Sequence, residues 1–309
     1  MNNILISTSS FKLKDEERLL NLKEQALNII FNPHGRRLTE TEAETLLSNN
    51  VVGIIAGVEP LTRSVIEKST NLKVISRCGI GLESVDLIAA KENNILVYNT
   101  PTGPVKAVAE LTIGLMLSVL RRVCEADKNL RKGIWKPLMG HLLSAQTVGI
   151  IGYGNIGKEV SKLARAFGAN VIVYDVNNID PNGIKATSFD ELLKSSDIIT
   201  VHLPYNQSTH NLINNDNLQL LKKGVILINT SRGGIIAEET IVDGIKNGHI
   251  AGAGIDAYNN EPYKGPLTEL DQVILTSHMG SYAQEARVQM ESDAISNLLK
   301  GLKEKGLIK

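Results

Sequence analysis

The chain reads as an α/β protein built from two units, each a doubly wound parallel sheet. Three observations predict this. Short β-branched runs alternate with helical patterns along most of the 309 residues, the order that lays helices against both faces of a parallel sheet. The runs, "VVGIIAG" and "GVILINT" among them, are apolar without polar alternation, as strands covered on both faces are. A chain of 309 residues that is 42% hydrophobic also exceeds what one ordinary core accommodates.

In chain order, "NILIS", "VVGIIAG", "LKVIS" and "ILVYN" are expected as strands of the first unit, with helices over Glu16–Ile30, Glu42–Leu47 and Val85–Asn93. The segment Thr100-Pro101-Thr102-Gly103-Pro104 interrupts that rhythm and is expected to cross into the second unit. A long helix should follow from Val105 to about Lys132. Six further strands are expected at "TVGIIG", "NVIVYD", "DIITVHL", "GVILINT", "IAGAGID" and "QVILTS". The last helical stretch, from Ser281 to about Lys303, is expected to return to the first unit. Residues 1–100 with 286–309 are thus expected to form one domain and residues 101–285 the other. Hinges would then flank a cleft that closes on its ligands.

Bulk properties exclude several function classes. Lys plus Arg and Asp plus Glu both total 33, so no net charge favours nucleic acid or an acidic membrane. The longest apolar stretch, Leu111 to Leu120, is about half of a membrane span. The N-terminus lacks a basic region followed by a long apolar run, so no secretory signal is expected. Cys78 and Cys124 suggest reduced thiols in a cytoplasmic protein. No His/Cys pair has metal-ligand spacing.

The turn "VGIIGYGNIG" carries the first chemistry. It follows the strand "TVGII" and opens the helix "NIGKEVSKLARAF", and Asp175 ends the next strand. Gly152 permits a tight turn, Gly154 lets the backbone approach a pyrophosphate, and Gly157 allows close helix–strand contact. The helix N-terminus offers unpaired N–H groups to phosphates. Asp175, 18 residues after Gly157, stands where a carboxylate accepts from a ribose 2′-OH and repels a 2′-phosphate. Val176-Asn177-Asn178 supply no Arg to offset that repulsion, so NAD is expected over NADP.

Three side chains suggest what such a cofactor would serve. Arg232 follows "GVILINT", Glu261 lies in "DAYNNEP", and His278 follows "QVILTS". Guanidinium can hold a carboxylate and polarise an adjacent carbonyl. Imidazole can exchange a proton with a keto or hydroxyl oxygen near neutral pH. A carboxylate beside imidazole fixes its orientation and stabilises its protonated form. Each residue alone is more often a surface or capping residue. What singles them out is that all three follow successive strands, where open α/β sheets build their sites. In the first half, "SRCGIGLESVD" follows the strand "LKVI" and places Gly79 and Gly81 where amides can face an anion, with Arg77 beside them.

Taken together, "SRCGIGLESVD", "VAELTIGLML", "GIIGYGNIG", "INTSRGG", "GIDAYNNEP" and "SHMGS" resemble, in order and over nearly the whole chain, the D-isomer-specific 2-hydroxyacid dehydrogenases. The likeness is greatest to their 3-phosphoglycerate-dehydrogenase-like branch. The resemblance implies a Rossmann NAD-binding domain and a flavodoxin-like substrate domain with a cleft between, and reversible NAD(H)-dependent oxidation of a D-2-hydroxy acid. It implies Arg232 as substrate anchor, His278 as acid/base and Glu261 as its support, with Arg77, Gly79, Ile80 and Gly81 facing the substrate. It assigns the cofactor to Gly152, Gly154, Asn155, Ile156, Gly157, Asp175, His202, Pro204, Thr209, Thr230, Ser231, Asp256 and Gly280, with Asp256 toward the nicotinamide carboxamide.

The segment of about 105–146, through Trp135, resembles the arm by which members form homodimers; burial of Trp135 within its own subunit is the alternative. The chain stops at Lys309, so feedback control through the additional C-terminal domain of the phosphoglycerate enzymes is not expected. A 3-phosphoglycerate-like substrate is the implied choice; Arg77, Arg63 and Lys106 are equally compatible with cations for its phosphate and with scattered surface charge, and Lys106 has no assigned role of its own. The alternatives are a glyoxylate or hydroxypyruvate reductase and a non-catalytic NAD(H)-sensing interaction protein.

Overall fold

In a computed structural model the chain is described over residues 2–177 and 183–309, so Asn178, one of the residues read after Asp175, lies outside the described residues. Two compact units emerge, Met1–Pro104 with Ala283–Lys309, and Val105–Tyr282.

The first unit runs β1 (Asn2–Ile6), α1 (Glu17–Glu24), β2 (Leu27–Phe31), α2 (Glu40–Leu47), β3 (Val51–Ala56), α3 (Arg63–Lys68), β4 (Val74–Arg77), α4 (Leu87–Glu92) and β5 (Leu96–Tyr98). All five strands are parallel, in the order β2-β1-β3-β4-β5, which is the flavodoxin-like order. Successive residues of one strand feed opposite faces. Leu5 and Ile54 pack with Leu47, Val65 and Ala89 on one side. Ile4, Ile6 and Ile55 pack on the other with Met290, Ala294, Leu298 and Leu302 of the C-terminal helix Gln284–Glu304.

One expected helix is corrected here. Glu16–Ile30 is not one helix: α1 stops at Glu24, Ala26 takes a left-handed φ of 62°, and Leu27–Phe31 becomes the edge strand β2. The β-branched pair Ile29-Ile30 has the stiff side chains that strands favour. At its start, α2 is held by a capping box between Thr39 and Glu42, which satisfies two otherwise unpaired donors.

The second unit runs α5 (Val105–Leu120), α6 (Val123–Arg131), β6 (Thr147–Ile151), α7 (Asn155–Ala166), β7 (Asn170–Tyr174), β8 (Lys185–Ala186), α8 (Phe189–Ser195), β9 (Ile198–Val201), β10 (Val225–Asn229), α9 (Glu238–Lys246), β11 (Ile250–Ile255) and β12 (Val273–Leu275). Its seven-stranded parallel sheet has the order β12-β11-β10-β9-β6-β7-β8. Read from β6, this is the 3-2-1-4-5-6 order of dinucleotide-binding folds with one more strand. The order reverses between β9 and β6, so the carboxyl ends there open a crevice.

The expected helix from Val105 to Lys132 is broken in two. Arg122 adopts φ 52°, between α5 and α6. The two halves differ in character: α5 buries eight residues, whereas α6 buries none. Beyond α6, Trp135 is 86% and Met139 88% exposed, so Trp135 is not buried within its own subunit. Among the described residues, no helix is long and apolar enough to cross a membrane.

Candidate active site

The glycine turn follows β6. Gly152 takes φ 95°, and a Cβ there would lie 2.8 Å from the His202 carbonyl carbon. A Cβ on Gly157 would lie 3.1 Å from the Gly152 carbonyl carbon and closer still to its oxygen. The backbones of strand end and helix start therefore approach too closely for any side chain at either position. Gly154 is different. A Cβ on it would meet nothing within 4 Å, and as the N-cap of α7 it has no side chain to satisfy the first amides. The turn thus presents free helix N–H groups beside open space, which fits a pyrophosphate.

Asp175 caps the neighbouring strand end. Its carboxylate accepts from Tyr153 N–H at 2.8 Å and from the Asn177 backbone and side-chain N–H groups at 2.9 and 3.0 Å. Burial alone would raise its carboxyl pKa, but these bonds outweigh burial and hold it below the ordinary range. An ionised acceptor beside the turn suits a ribose hydroxyl. Next along the sheet, the His202 imidazole is buried, which pushes its pKa down to about 3. Its Nε2 lies 3.0 Å from Thr200 Oγ1, while its buried Nδ1 has no hydrogen-bond partner. Pro204 and Thr209 lie on the exposed loop that follows, where Thr209 Oγ1 donates to the Pro204 carbonyl at 2.8 Å.

At the end of β10, Asn229 builds the Arg232 turn. Its Oδ1 accepts from the Ser231 N–H at 3.0 Å and hydroxyl at 2.8 Å, and its Nδ2 donates to the Arg232 carbonyl at 2.8 Å. Arg232 Nη1 donates to the Ser231 carbonyl at 2.8 Å. Thr230 Oγ1 lies 2.8 Å from Thr112 Oγ1 on α5, so the start of the turn is tied to the helix beneath it.

The loops after β11 and β12 bring Glu261 and His278 together. His278 Nδ1 lies 2.8 Å from Glu261 Oε1 and 3.0 Å from Oε2. A carboxylate only accepts, so Nδ1 carries the proton of that bond and Nε2 is the nitrogen left to exchange one. Glu261 is itself held by the Tyr258 N–H at 3.2 Å. The Tyr258 ring stacks on Tyr263 at 4.3 Å, and its hydroxyl reaches the Thr276 carbonyl at 2.7 Å. Burial and the nearby Asp256 push that phenol up to about 12, so it remains a donor.

In the first unit, the turn after β4 gives a narrower answer than expected. Gly79 (φ 148°) does not present its N–H to a ligand; it donates to Thr100 Oγ1 at 2.8 Å, and Thr100 N–H returns a bond to the Gly79 carbonyl at 3.0 Å. The amides that remain for an anion are those of Ile80 and Gly81. Asn99 Nδ2 steadies them by donating to the Ile80 carbonyl at 2.7 Å. Arg77 folds over Gly79 and donates to the Cys78 carbonyl. Arg63 reaches Glu92 at 2.6 Å, Glu67 at 3.0 Å and Asp86 at 3.9 Å, so its charge is already balanced. Lys106 is exposed at the start of α5 in the second unit.

Sequence reasoning missed Asn229, Tyr258, Thr276 and Thr100. Only Asn229 had a local signal: Asn two residues before Ser is the pattern of an Asx turn. The partners of Thr100 and Thr276 lie about 20 residues away. Glu59, 2% exposed, was also passed over; it accepts from the Ser7 hydroxyl and the Gly57 N–H at the carboxyl ends of β1 and β3.

The chain is similar to known proteins along most of its length. Residues 113–280 match the family described as D-isomer specific 2-hydroxyacid dehydrogenase, NAD binding domain. A hydroxypyruvate reductase of Thermotoga maritima is 36% identical over 296 residues, covering 91% of this chain and 96% of that protein. A D-3-phosphoglycerate dehydrogenase of Archaeoglobus fulgidus is 39% identical over 249 residues, 77% of this chain; the chain matches 47% of that longer protein. The solved structure of a glyoxylate reductase from Paecilomyes thermophila superposes with a TM-score of 0.88 at 30% identity, covering 100% of this chain and 97% of that one. The chain belongs to the D-isomer specific 2-hydroxyacid dehydrogenase family and is an NAD-dependent oxidoreductase of that family.

Proposed function

We propose that the chain interconverts a small, unphosphorylated 2-keto acid, of the size of glyoxylate or hydroxypyruvate, with its D-2-hydroxy acid. The observation that carries this reading is the His278–Glu261 pair at the carboxyl edge of the NAD-binding sheet. In reduction, His278 Nε2 gives a proton to the C2 oxygen; in oxidation it takes one back. Glu261 fixes the ring so that Nε2 faces outward, and Tyr258 N–H fixes Glu261. Arg232 binds the substrate carboxylate and stabilises negative charge growing on the C2 oxygen. Within the first unit, the Ile80 and Gly81 amides are the donors left to an anion, with Arg77 donating to the Cys78 carbonyl of the same turn.

On the cofactor side, Gly154, Asn155 and Ile156 receive the pyrophosphate in the space beside α7, and Asp175 receives the ribose hydroxyls. Thr230, Ser231, His202, Pro204, Thr209 and Gly280 border the nicotinamide half. When bound, NADH supplies the hydride that C2 receives. Val176 and Asn177, directly after Asp175, supply no cation to offset its charge, which favours NAD over its 2′-phosphorylated form.

The small-acid choice rests on charge. A phosphate dianion needs cations beyond those that hold the carboxylate, and Arg63 is surrounded by Glu67, Asp86 and Glu92. The chain's similarity to a hydroxypyruvate reductase over nearly the full length of both supports the same choice. A second reading, a phosphorylated three-carbon acid, is favoured by the 39% identity to a D-3-phosphoglycerate dehydrogenase. Steady-state NADH oxidation with glyoxylate, hydroxypyruvate, pyruvate and phosphohydroxypyruvate separates the two. Higher kcat/KM for an unphosphorylated acid is expected; preference for phosphohydroxypyruvate selects the second reading.

We further propose that the exposed apolar residues Ile134, Trp135, Met139 and Leu142 pair with a second copy of the chain. So large an apolar display on one segment favours association. Sedimentation at micromolar concentration should show a dimer that Trp135→Glu dissociates.

A further inference from the structure

Asp256 follows β11 with only 1% of its surface exposed. Its carboxylate is occupied by three donors from a single turn. Oδ1 accepts the Thr276 hydroxyl at 2.6 Å and the Met279 N–H at 2.8 Å, while Oδ2 accepts the Gly280 N–H at 2.8 Å. The carboxylate is anchored in turn, because the Asp256 N–H donates to the Asn229 carbonyl at 2.8 Å. These donors bracket His278 on both sides.

His278 itself has φ 52°, a left-handed backbone that a residue with a Cβ keeps only when its surroundings hold it there. Met279 and Gly280 follow it directly, and both point their amides at one buried charge. Bonds to an ionised acceptor are stronger than neutral ones, so this carboxylate is the group able to hold the strained turn. The nicotinamide role expected of Asp256 would compete with that duty, since three of its roughly four acceptor positions are already used.

We infer that Asp256 is a positioning residue for His278: by gathering Thr276, Met279 and Gly280 it sets the backbone from which the imidazole reaches Glu261. Its effect on the reaction runs through the turn and not through contact with substrate. The inference rests on His278 being the proton donor of the proposed reaction.

The test uses the full chain with Asp256→Asn and Thr276→Val. Asparagine presents an amide N–H to one donor of the turn, and valine removes the hydroxyl donor at nearly constant shape. Three quantities are read: the His278 ring resonances, assigned by their loss in His278→Gln; NADH affinity by fluorescence; and kcat at saturating NADH. Displacing a proton donor by about 1 Å costs about 100-fold in rate. Asp256→Asn should therefore shift the His278 resonances and lower kcat by about 10- to 100-fold, with NADH affinity within about twofold. Thr276→Val should move the same quantities in the same direction by less, and it decides the matter if Asp256→Asn does not fold.

Unmoved His278 resonances in both variants would overturn the inference. So would a loss of NADH affinity with kcat recovered at saturation, which would make Asp256 a cofactor contact. Full activity in His278→Ala would instead overturn the proton-donor role, while leaving the resonance shifts as a property of the turn.

Discussion

Gly154 and Gly157 stand three residues apart in one motif, yet the structure assigns them opposite sensitivities. At Gly154 the backbone is extended (φ −74°, ψ −161°) and a Cβ meets nothing within 4 Å. Alanine adopts that conformation without strain, so Gly154→Ala should leave folding stability unchanged or raise it by about 0.4–1 kcal/mol through the unfolded chain. The same methyl would occupy the space proposed for the pyrophosphate. Losing one charge-assisted bond there costs about 1.5–3 kcal/mol, or about 10- to 100-fold in NADH affinity.

Gly157→Ala differs because its Cβ would press on the Gly152 carbonyl, with the carbon 3.1 Å away. That neighbour is backbone at a strand end, with no rotamer to relieve the clash. Overpacking of this kind costs about 1–3 kcal/mol, at about 2–4 °C of Tm per kcal/mol for a unit of this size. Calorimetry without cofactor reads the first quantity, and NADH fluorescence titration the second. Gly154→Ala should keep its Tm and lose NADH, whereas Gly157→Ala should lose both. An NADH affinity in Gly154→Ala equal to that of the unaltered chain would refute the placement of the pyrophosphate. A fall in its Tm matching that of Gly157→Ala would refute the claim of open space.

Other expectations follow from the same geometry. Glu261→Gln should lower kcat by about tenfold or more, since the ring is held less tightly, without altering NADH affinity; a change confined to NADH binding would remove Glu261 from the reaction. Thr100→Val removes one of the two acceptors of the buried Gly79 N–H and leaves the Arg77 carbonyl at 3.0 Å, so denaturant unfolding should show a loss of about 0.5–1.5 kcal/mol, with a raised KM for the keto acid; the Ser variant should restore both. The His202 imidazole is neutral in the folded chain, its pKa pushed down to about 3 by burial, whereas it charges near pH 6.5 when unfolded. Its contribution is complete above that value and is lost as pH falls from about 6.5 toward 3, by up to about 1.4 kcal/mol per pH unit. His202→Gln should flatten the stability profile in that window, and an identical slope would contradict the buried, neutral ring.

Much of the second unit was legible because parallel strands turn their carboxyl ends to one edge. A residue just after a buried apolar run is placed by the run itself, and so Gly152, Asp175, Arg232 and His278 were located without tertiary knowledge. The failures have physical causes. Leu19 and Leu22, followed by Ile29 and Ile30, sustain an apolar pattern that no Gly or Pro interrupts, so the end of α1 at Glu24 was invisible. The break at Arg122 likewise falls in a run without Gly or Pro, at a residue that turns left-handed. The Gly79 amide looked available because its acceptor, Thr100, comes from the far side of a helix and a strand. The bonds that occupy Asp256 were out of reach of the sequence because they come from residues 20 to 24 positions on.

The central claim is that His278 transfers the proton while the glycine turn holds NAD(H), and one paired measurement tests it most directly. NADH oxidation is followed with glyoxylate and hydroxypyruvate for the unaltered chain and for His278→Ala, with NADH affinity measured on both proteins. Turnover to the D-hydroxy acid is expected in the first. In His278→Ala, turnover should fall about 10²- to 10⁴-fold while NADH affinity stays the same. Equal turnover by the two proteins would contradict the account.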